Sequence, residues 1–160
     1  MAKVKLKGME KVMRNLQKEI EQIEGFTMKG LIRSVIIIRR DMDKTSPLVP
    51  VDTGNLRASF FSVAGRTFYQ EPLPETTKKF KGEDAEQLSF DHSAAIQSAK
   101  AEVGSKLMVM FGFSANYATW AHEAVDYKFA RPGSGAKFME SSIIRNKDRI
   151  LLELKKSAKI

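Results

Sequence analysis

The sequence lacks cysteine altogether, so disulfide bonds, thiolate metal sites and cysteine nucleophiles are excluded among its 160 residues. Long hydrophobic runs are also missing. The longest aliphatic run, Val35 to Ile38, is far shorter than the roughly 20 residues that a membrane helix needs, and arginines bracket it. The N-terminus begins with a positive segment that no apolar stretch follows, so we expect neither a signal peptide nor a membrane span.

The composition is that of an ordinary globular protein, with 42% hydrophobic and 29% charged residues. A chain of this length fits one compact domain and can bury a substantial core. We therefore predict a single domain over residues 1–160.

The net charge of +8 is concentrated at the two ends of the chain. Residues 1–18 carry six basic side chains against one acidic, and residues 145–160 carry six against two. This bias indicates either a solvated surface or an anionic partner, which could be nucleic acid or an acidic protein ring. The basic residues are not interleaved with aromatics, and no known nucleic-acid-binding motif is present.

Apolar residues spaced by three and four predict two helices in the N-terminal third. The first begins at Met9 and ends at Gly25, because glycine commonly terminates a helix. The second begins with Thr27 as a cap and ends before Pro47. Its apolar stripe is wide, which indicates a central helix that is contacted on more than one side.

Several shorter segments complete the predicted order of elements. Lys3–Lys7 alternates like an edge strand, and Leu56–Ala64 reads as a strand whose first residues could instead form a helical turn. Residues 65–92 contain several glycines and prolines, which interrupt helices and strands, and many acidic side chains. This composition predicts an extended, exposed excursion. Ser93 then caps a short helix that ends near Gly104.

Leu107–Phe113 is the strongest strand candidate, since it is apolar on both faces as a covered strand would be. A last helix is predicted from near Phe138 to about Lys156. The predicted fold class is α+β, with two N-terminal helices and a C-terminal helix packed on one side of a small, mainly antiparallel sheet.

Asp52-Thr53-Gly54 matches the triplet of aspartic proteases, in which two aspartates share a proton across a dimer. Those enzymes place the triplet after an apolar strand, whereas here it is preceded by Pro47, Leu48, Val49 and Pro50 and followed by Asn55–Arg57. The residue types in and before the triplet are those of a tight turn. Asp52 would cap the turn by accepting hydrogen bonds from downstream backbone amides, Gly54 would supply an unusual backbone angle, and Pro50 would stiffen the chain before the turn. We therefore interpret the triplet as a structural turn.

No other pattern indicates catalysis, a metal or a cofactor. His92 and His122 are the only histidines, and neither has a second ligand at helical spacing, so both are interpreted as hydrogen-bonded or surface residues. Gly133–Lys137 lacks the spacing of a phosphate-binding loop. We expect no catalytic residue, no metal ligand and no cofactor.

Two sequence segments, called phrases below, resemble segments of a known protein family. Pro50–Arg57 and Asn116–Glu123 occur in this order, after the N-terminal helices and before the last helix. In that arrangement the chain is similar to the head–tail joining proteins of tailed bacteriophages, also called neck or tail-completion proteins. It departs from the family at Ala124, where glycine is frequent, and in the large excursion at 65–92.

The resemblance implies a structural virion protein rather than an enzyme. Copies would form a homo-oligomeric ring, with a hexamer favoured, in the neck or head-proximal tail. The ring would bind the capsid connector and the tail-tube or tail-terminator proteins, DNA would at most pass through its channel, and no membrane would be involved. Assembly would take place in the host cytoplasm.

The resemblance also assigns roles to individual residues. In this family the first phrase forms the turn that leaves the long helix and opens the sheet. The turn residues here are Pro50, Asp52, Thr53, Gly54, Leu56 and Arg57. The candidate subunit or partner contacts are Tyr117, Trp120, Glu123 and Arg131. The first candidate for a contact between copies is the excursion at 65–92, because an acidic loop could meet the basic helix ends of a neighbouring copy.

Two alternatives remain open at the level of sequence. A basic nucleic-acid-binding protein would bind without sequence preference and lose affinity steeply as salt rises. A dimeric aspartic protease would depend on Asp52 for cleavage.

Overall fold

The computed structural model describes residues 9–65, 73 and 79–158. Within these ranges the helices are α1 (Met9–Lys44), α2 (Asn55–Ala58), α3 (Ala85–Val103), α4 (Ala118–Glu123), α5 (Phe138–Arg145) and α6 (Lys147–Ala158), and the strands are β1 (Phe60–Ala64) and β2 (Val109–Phe113). The α+β class and the small antiparallel sheet are confirmed. The predicted strand Lys3–Lys7 and much of the predicted excursion lie outside the described residues.

α1 is one continuous helix of 36 residues, so the prediction of two helices separated at Gly25 is wrong. Thr27 does not cap a new helix, since its Oγ1 donates to the Ile23 carbonyl one turn earlier, at 2.9 Å. A lone glycine weakens a helix by only about 1 kcal/mol, which the apolar stripe on both sides outweighs. In the described part of the chain, neither α1 nor another helix is long and apolar enough to cross a membrane.

Gly25→Ala is expected to stabilise the protein by up to about 1 kcal/mol, because alanine favours helix interiors over glycine. A Cβ at Gly25 would meet no atom within 4 Å, so no clash opposes the gain. The matched control is Gly54→Ala, where space is equally open but φ is 92°. That change should destabilise by about 1–2 kcal/mol. Urea unfolding followed by far-ultraviolet circular dichroism measures both, and a loss of stability in Gly25→Ala would contradict a continuous α1.

β1 and β2 pair antiparallel, with Phe60 opposite Phe113 and Ala64 opposite Val109. Because side chains alternate across a strand, the sheet has two apolar faces. One face carries Phe60, Val109, Phe111 and Phe113 and packs on Val35, Ile38 and Met42 of α1. The other carries Phe61, Val63 and Met110 and packs on Ile96, Ala99 and Val103 of α3. The sheet is thus covered on both faces, and the predicted one-sided packing is wrong.

α3 begins at Ala85, eight residues before the predicted start at Ser93. Ser93 lies inside the helix, where its Oγ donates to the Ser89 carbonyl at 3.0 Å. The first turn is held by Leu88, which is buried in the main core. Residues 85–92 therefore belong to a packed helix and not to an exposed excursion.

The predicted C-terminal helix divides into α5 and α6 at Asn146. The Asn146 side chain donates to the Ser142 carbonyl at 2.9 Å, a local bond of the kind that competes with regular helix geometry. α5 contacts α1 through the buried Ser142, whose Oγ donates to the Ile38 carbonyl at 3.0 Å. α6 runs antiparallel to α1, since Glu153 lies 3.7 Å from Arg33 and Ser157 lies against Gly30.

Candidate functional site

The two phrases singled out in the sequence line one open groove with a volume of about 880 Å³. One side is formed by Pro50–Leu56, and the facing side by Asn116, Tyr117, Trp120 and Ala121. The loop Lys81–Asp84 and the start of α3 form a third side. Segments that are far apart in the sequence are therefore neighbours on one surface.

The turn at the first phrase is built around Gly54, whose φ of 92° lies in the left-handed region that favours glycine. α2 begins directly after it. The Thr53 hydroxyl accepts a hydrogen bond from the Asn55 amide at 3.4 Å, whereas Asp52, expected to supply the cap, lies exposed beside it. Pro50, just upstream, is buried. Asp52 therefore lies exposed at the groove, and the buried Pro50 anchors the chain just before it.

Asn55 holds the third side of the groove in place, a role that sequence reasoning missed. Its side-chain amide donates to the Lys81 carbonyl at 2.8 Å, and its oxygen accepts from the Lys81 amide at 2.9 Å. Asn55 is only 6% exposed, so these bonds satisfy an amide that would be costly to bury unpaired. An asparagine beside a turn glycine gives no signal that its partner is 26 residues away.

The next two residues tie the turn to the rest of the protein. Leu56 is buried in the main core under the groove. Arg57 Nη2 lies 2.9 Å from Asp43 Oδ1, and Arg39 Nη1 lies 3.1 Å from the same oxygen. Asp43 therefore bridges two guanidinium groups and fixes the first phrase to the end of α1.

Exposed aromatic rings form the far wall of the groove. Trp120 and Tyr127 are each 55% exposed, and their ring centroids lie 5.1 Å apart in an edge-to-face arrangement. Phe129 completes the cluster at 5.0 Å from Tyr127. Large aromatic side chains left open to solvent are typical anchors of protein interfaces.

The groove is acidic, in contrast to the net positive charge of the chain. Among the described residues that line it, the carboxylates are Asp52, Glu83, Asp84 and Asp91, and Lys81 is the single base. Burial, and to a lesser extent the negative charge of Asp52, raises the pKa of the Tyr117 hydroxyl. Such an acidic surface favours cationic partners.

Glu123 and Arg131, two of the predicted contact residues, do not line the groove in the described part of the chain. The Glu123 carboxylate bonds to Lys137 Nζ and, at 2.7 Å, to His122 Nδ1. The hydrogen bond from Lys137, and secondarily that from His122, lowers the pKa of Glu123. Arg131 is half-buried, and its Nη1 has no hydrogen-bond partner among the described atoms. Tyr117 and Trp120, by contrast, lie in the groove wall.

The two histidines occupy separate structural positions. His92 lies in α3, with Nδ1 2.7 Å from Ser114 Oγ and its ring between Phe61 and Phe80. Burial lowers the pKa of His92. His122 stacks edge-to-face on Phe138 at 5.0 Å. The described residues contain no cluster of three His, Cys, Asp or Glu side chains able to hold a metal ion.

No protein-family model, curated protein or solved structure matches this chain. The interpretation of the groove therefore depends on its geometry and on the residues that the fold brings there. An open surface with carboxylates on two sides and exposed rings on another is suited to bind a segment that combines positive charge with apolar groups.

Proposed function

We propose that the protein is a structural component of a tailed bacteriophage, located in the neck or head-proximal tail of the virion. Copies of the chain, assembled in the host cytoplasm, form a ring that joins the capsid connector to the tail tube. The observation that carries the proposal is the convergence of Pro50–Leu56 and Asn116–Ala121, the phrases that resemble the joining family, on one groove with exposed aromatics.

The chemistry of the groove supports assembly over catalysis. The four carboxylates among its described lining residues come from the turn, the loop before α3 and α3 itself, and three of the four are exposed. Exposed carboxylates in an open groove do not share a proton as a protease dyad does. The same negative charge disfavours nucleic acid at this surface, because phosphates would be repelled.

Three measurements test this function. Native mass spectrometry and negative-stain microscopy are expected to show a closed oligomer with a central hole, either alone or after addition of the connector protein. Purified heads and tails that lack the protein are expected to join only when it is supplied. Asp52→Asn should join them as well as wild type, since the turn is structural.

Two outcomes would contradict the proposal. If joining proceeded equally well without the protein, the structural role would be wrong. If Asp52→Asn abolished cleavage of a phage protein while assembly remained intact, the protein would be an aspartic protease and the proposed structural role would be wrong.

A further inference from the structure

The N-terminal arm, defined here as residues 1–23, contains the longest run of exposed residues in the described part of α1. Residues 11–20 are all exposed. They include an apolar stripe, completed by Ile23, whose side chains are 42–64% exposed: Val12, Met13, Leu16, Ile20 and Ile23. Buried positions on α1 begin only at Met28, and Ser157, near the end of α6, lies at Gly30. The helical portion of the arm therefore extends beyond the packed body.

The charge of the arm is opposite to that of the groove. Lys3, Lys5 and Lys7 come immediately before the helix, without an acidic residue among them. Among the residues that the structure describes, the groove presents four carboxylates against one lysine. Its exposed Trp120 and Tyr127 rings also provide faces on which an ammonium group can bind. The two surfaces are complementary in sign and in apolar character.

The arm cannot reach the groove of its own chain. Lys3 is six residues from Met9, which spans at most about 22 Å even when fully extended. The groove floor, Leu56 and Leu88, packs with α1 from Val35 onward. Met9 and Val35 are 26 residues apart on one helix, a separation of about 39 Å. A groove that holds these lysines must belong to another copy.

We infer that the acidic groove binds the basic N-terminal arm of a second copy of this chain. The lysine ammonium groups lie against Glu83 and Asp84, and the apolar stripe of the helix adds contact area on the same neighbour. Because arm and groove are different surfaces, the contact is heterologous and propagates from copy to copy, closing into a ring when the rotation permits. The inference rests on the homo-oligomeric assembly proposed above and specifies its interface.

Charge reversal on each side tests the contact. The arm variant carries Lys3→Glu, Lys5→Glu and Lys7→Glu, and the groove variant carries Glu83→Lys and Asp84→Lys. Sedimentation velocity on full-length protein is expected to show self-association weakened at least about tenfold in either variant, since like charges at an interface are strongly unfavourable. The matched control, Glu102→Lys with Asp148→Lys, changes net charge as the groove variant does on exposed sites outside the groove, and should associate like wild type.

An equimolar mixture of the two variants gives a sharper result. The intact arm of the groove variant fits the intact groove of the arm variant, and the acidic arm of the arm variant faces the basic groove of the groove variant with opposite charge. The mixture should therefore recover the self-association that each variant loses when it is alone. A wild-type chain that stays monomeric, or a groove variant that associates as tightly as the control, would overturn the inference.

Cysteine cross-linking locates the contact directly, because the chain has no native cysteine. Lys5→Cys on a tagged copy and Asp84→Cys on an untagged copy should form a mixed disulfide between copies. Lys5→Cys paired with Glu102→Cys should not. Equal cross-linking in the two pairs would contradict the assigned groove.

These results separate the interface from the function. A ring that persists in the groove variant overturns the arm contact and leaves the joining role intact. A wild-type protein that associates through the arm, yet leaves heads and tails unjoined, overturns the role and leaves the contact.

Discussion

Phe60→Ala is expected to lower the free energy of unfolding by about 3–5 kcal/mol, the usual cost of deleting a buried phenylalanine. Phe60 is 1% exposed and lies on the sheet face that meets α1. Its ring contacts Phe113 edge-to-face at 5.4 Å and Phe111 at 6.4 Å. The Arg39 guanidinium lies 4.7 Å from the ring centroid, so truncation also removes a favourable surface from a largely buried cation.

Urea unfolding of Phe60→Ala, monitored by circular dichroism, measures this loss. The matched control is Phe90→Ala, since Phe90 is 71% exposed on α3. The control should change stability by less than about 0.5 kcal/mol. Similar losses in the two variants would show that Phe60 is not at the centre of the core. A Phe60→Leu variant, which leaves a smaller cavity, should fall between the wild type and Phe60→Ala.

Asp41→Asn is expected to cost about 1.5–3 kcal/mol at neutral pH, the range for hydrogen bonds to a charged group. The Asp41 side chain is 14% exposed and accepts from Arg145, with Nε to Oδ2 at 3.1 Å. Arg145 also donates to the Ser46 carbonyl at 3.0 Å. The pair thus joins the end of α1 to the end of α5, and an uncharged asparagine would leave Arg145 without its counter-charge.

The same residue predicts a pH dependence. Burial opposes ionisation, but hydrogen bonds, first from Arg145 and then from Asn146, Ser142 and Thr45, lower the pKa of Asp41 below its ordinary value of 3.8. A depressed pKa means that the stabilisation is complete above about pH 4 and is lost as pH falls through the lower folded value. The stability gap between wild type and Asp41→Asn should therefore be constant from about pH 7 to 5 and shrink below about pH 4.

Urea titrations at a series of pH values measure that gap. Asp126→Asn is the control, because Asp126 is an exposed loop residue and its substitution should have little effect at any pH. A gap that stays constant down to the lowest pH would show that the charge of Asp41 does not contribute to stability.

The N-terminal region shows why local pattern predicts element type better than element boundaries. The three-and-four spacing of apolar residues correctly indicated helix on both sides of Gly25. A stop at Gly25 requires the left-handed conformation, which depends on the tertiary contacts of the next residues, and here the helix simply continues. α3 shows the converse: its first turn is held by Leu88 in a core whose other members come from distant segments. The local sequence of residues 85–92 does not indicate that contact.

The sheet shows the same limit at the level of packing. An apolar run on both faces correctly indicated that β2 is covered. Which helix covers which face depends on the path of the chain between β1 and β2, and the alternation of side chains then divides the core between α1 and α3.

The sequence by itself determined the α+β class, the turn at Gly54 and the two segments Pro50–Arg57 and Asn116–Glu123. Each of these depends on residue types only a few positions apart. Only the tertiary structure decided that the phrases share a groove, that Asn55 pins the Lys81 loop to it and that the groove is acidic in a basic protein. Those features arise from side chains that are distant in the sequence, and the folded chain alone brings them together.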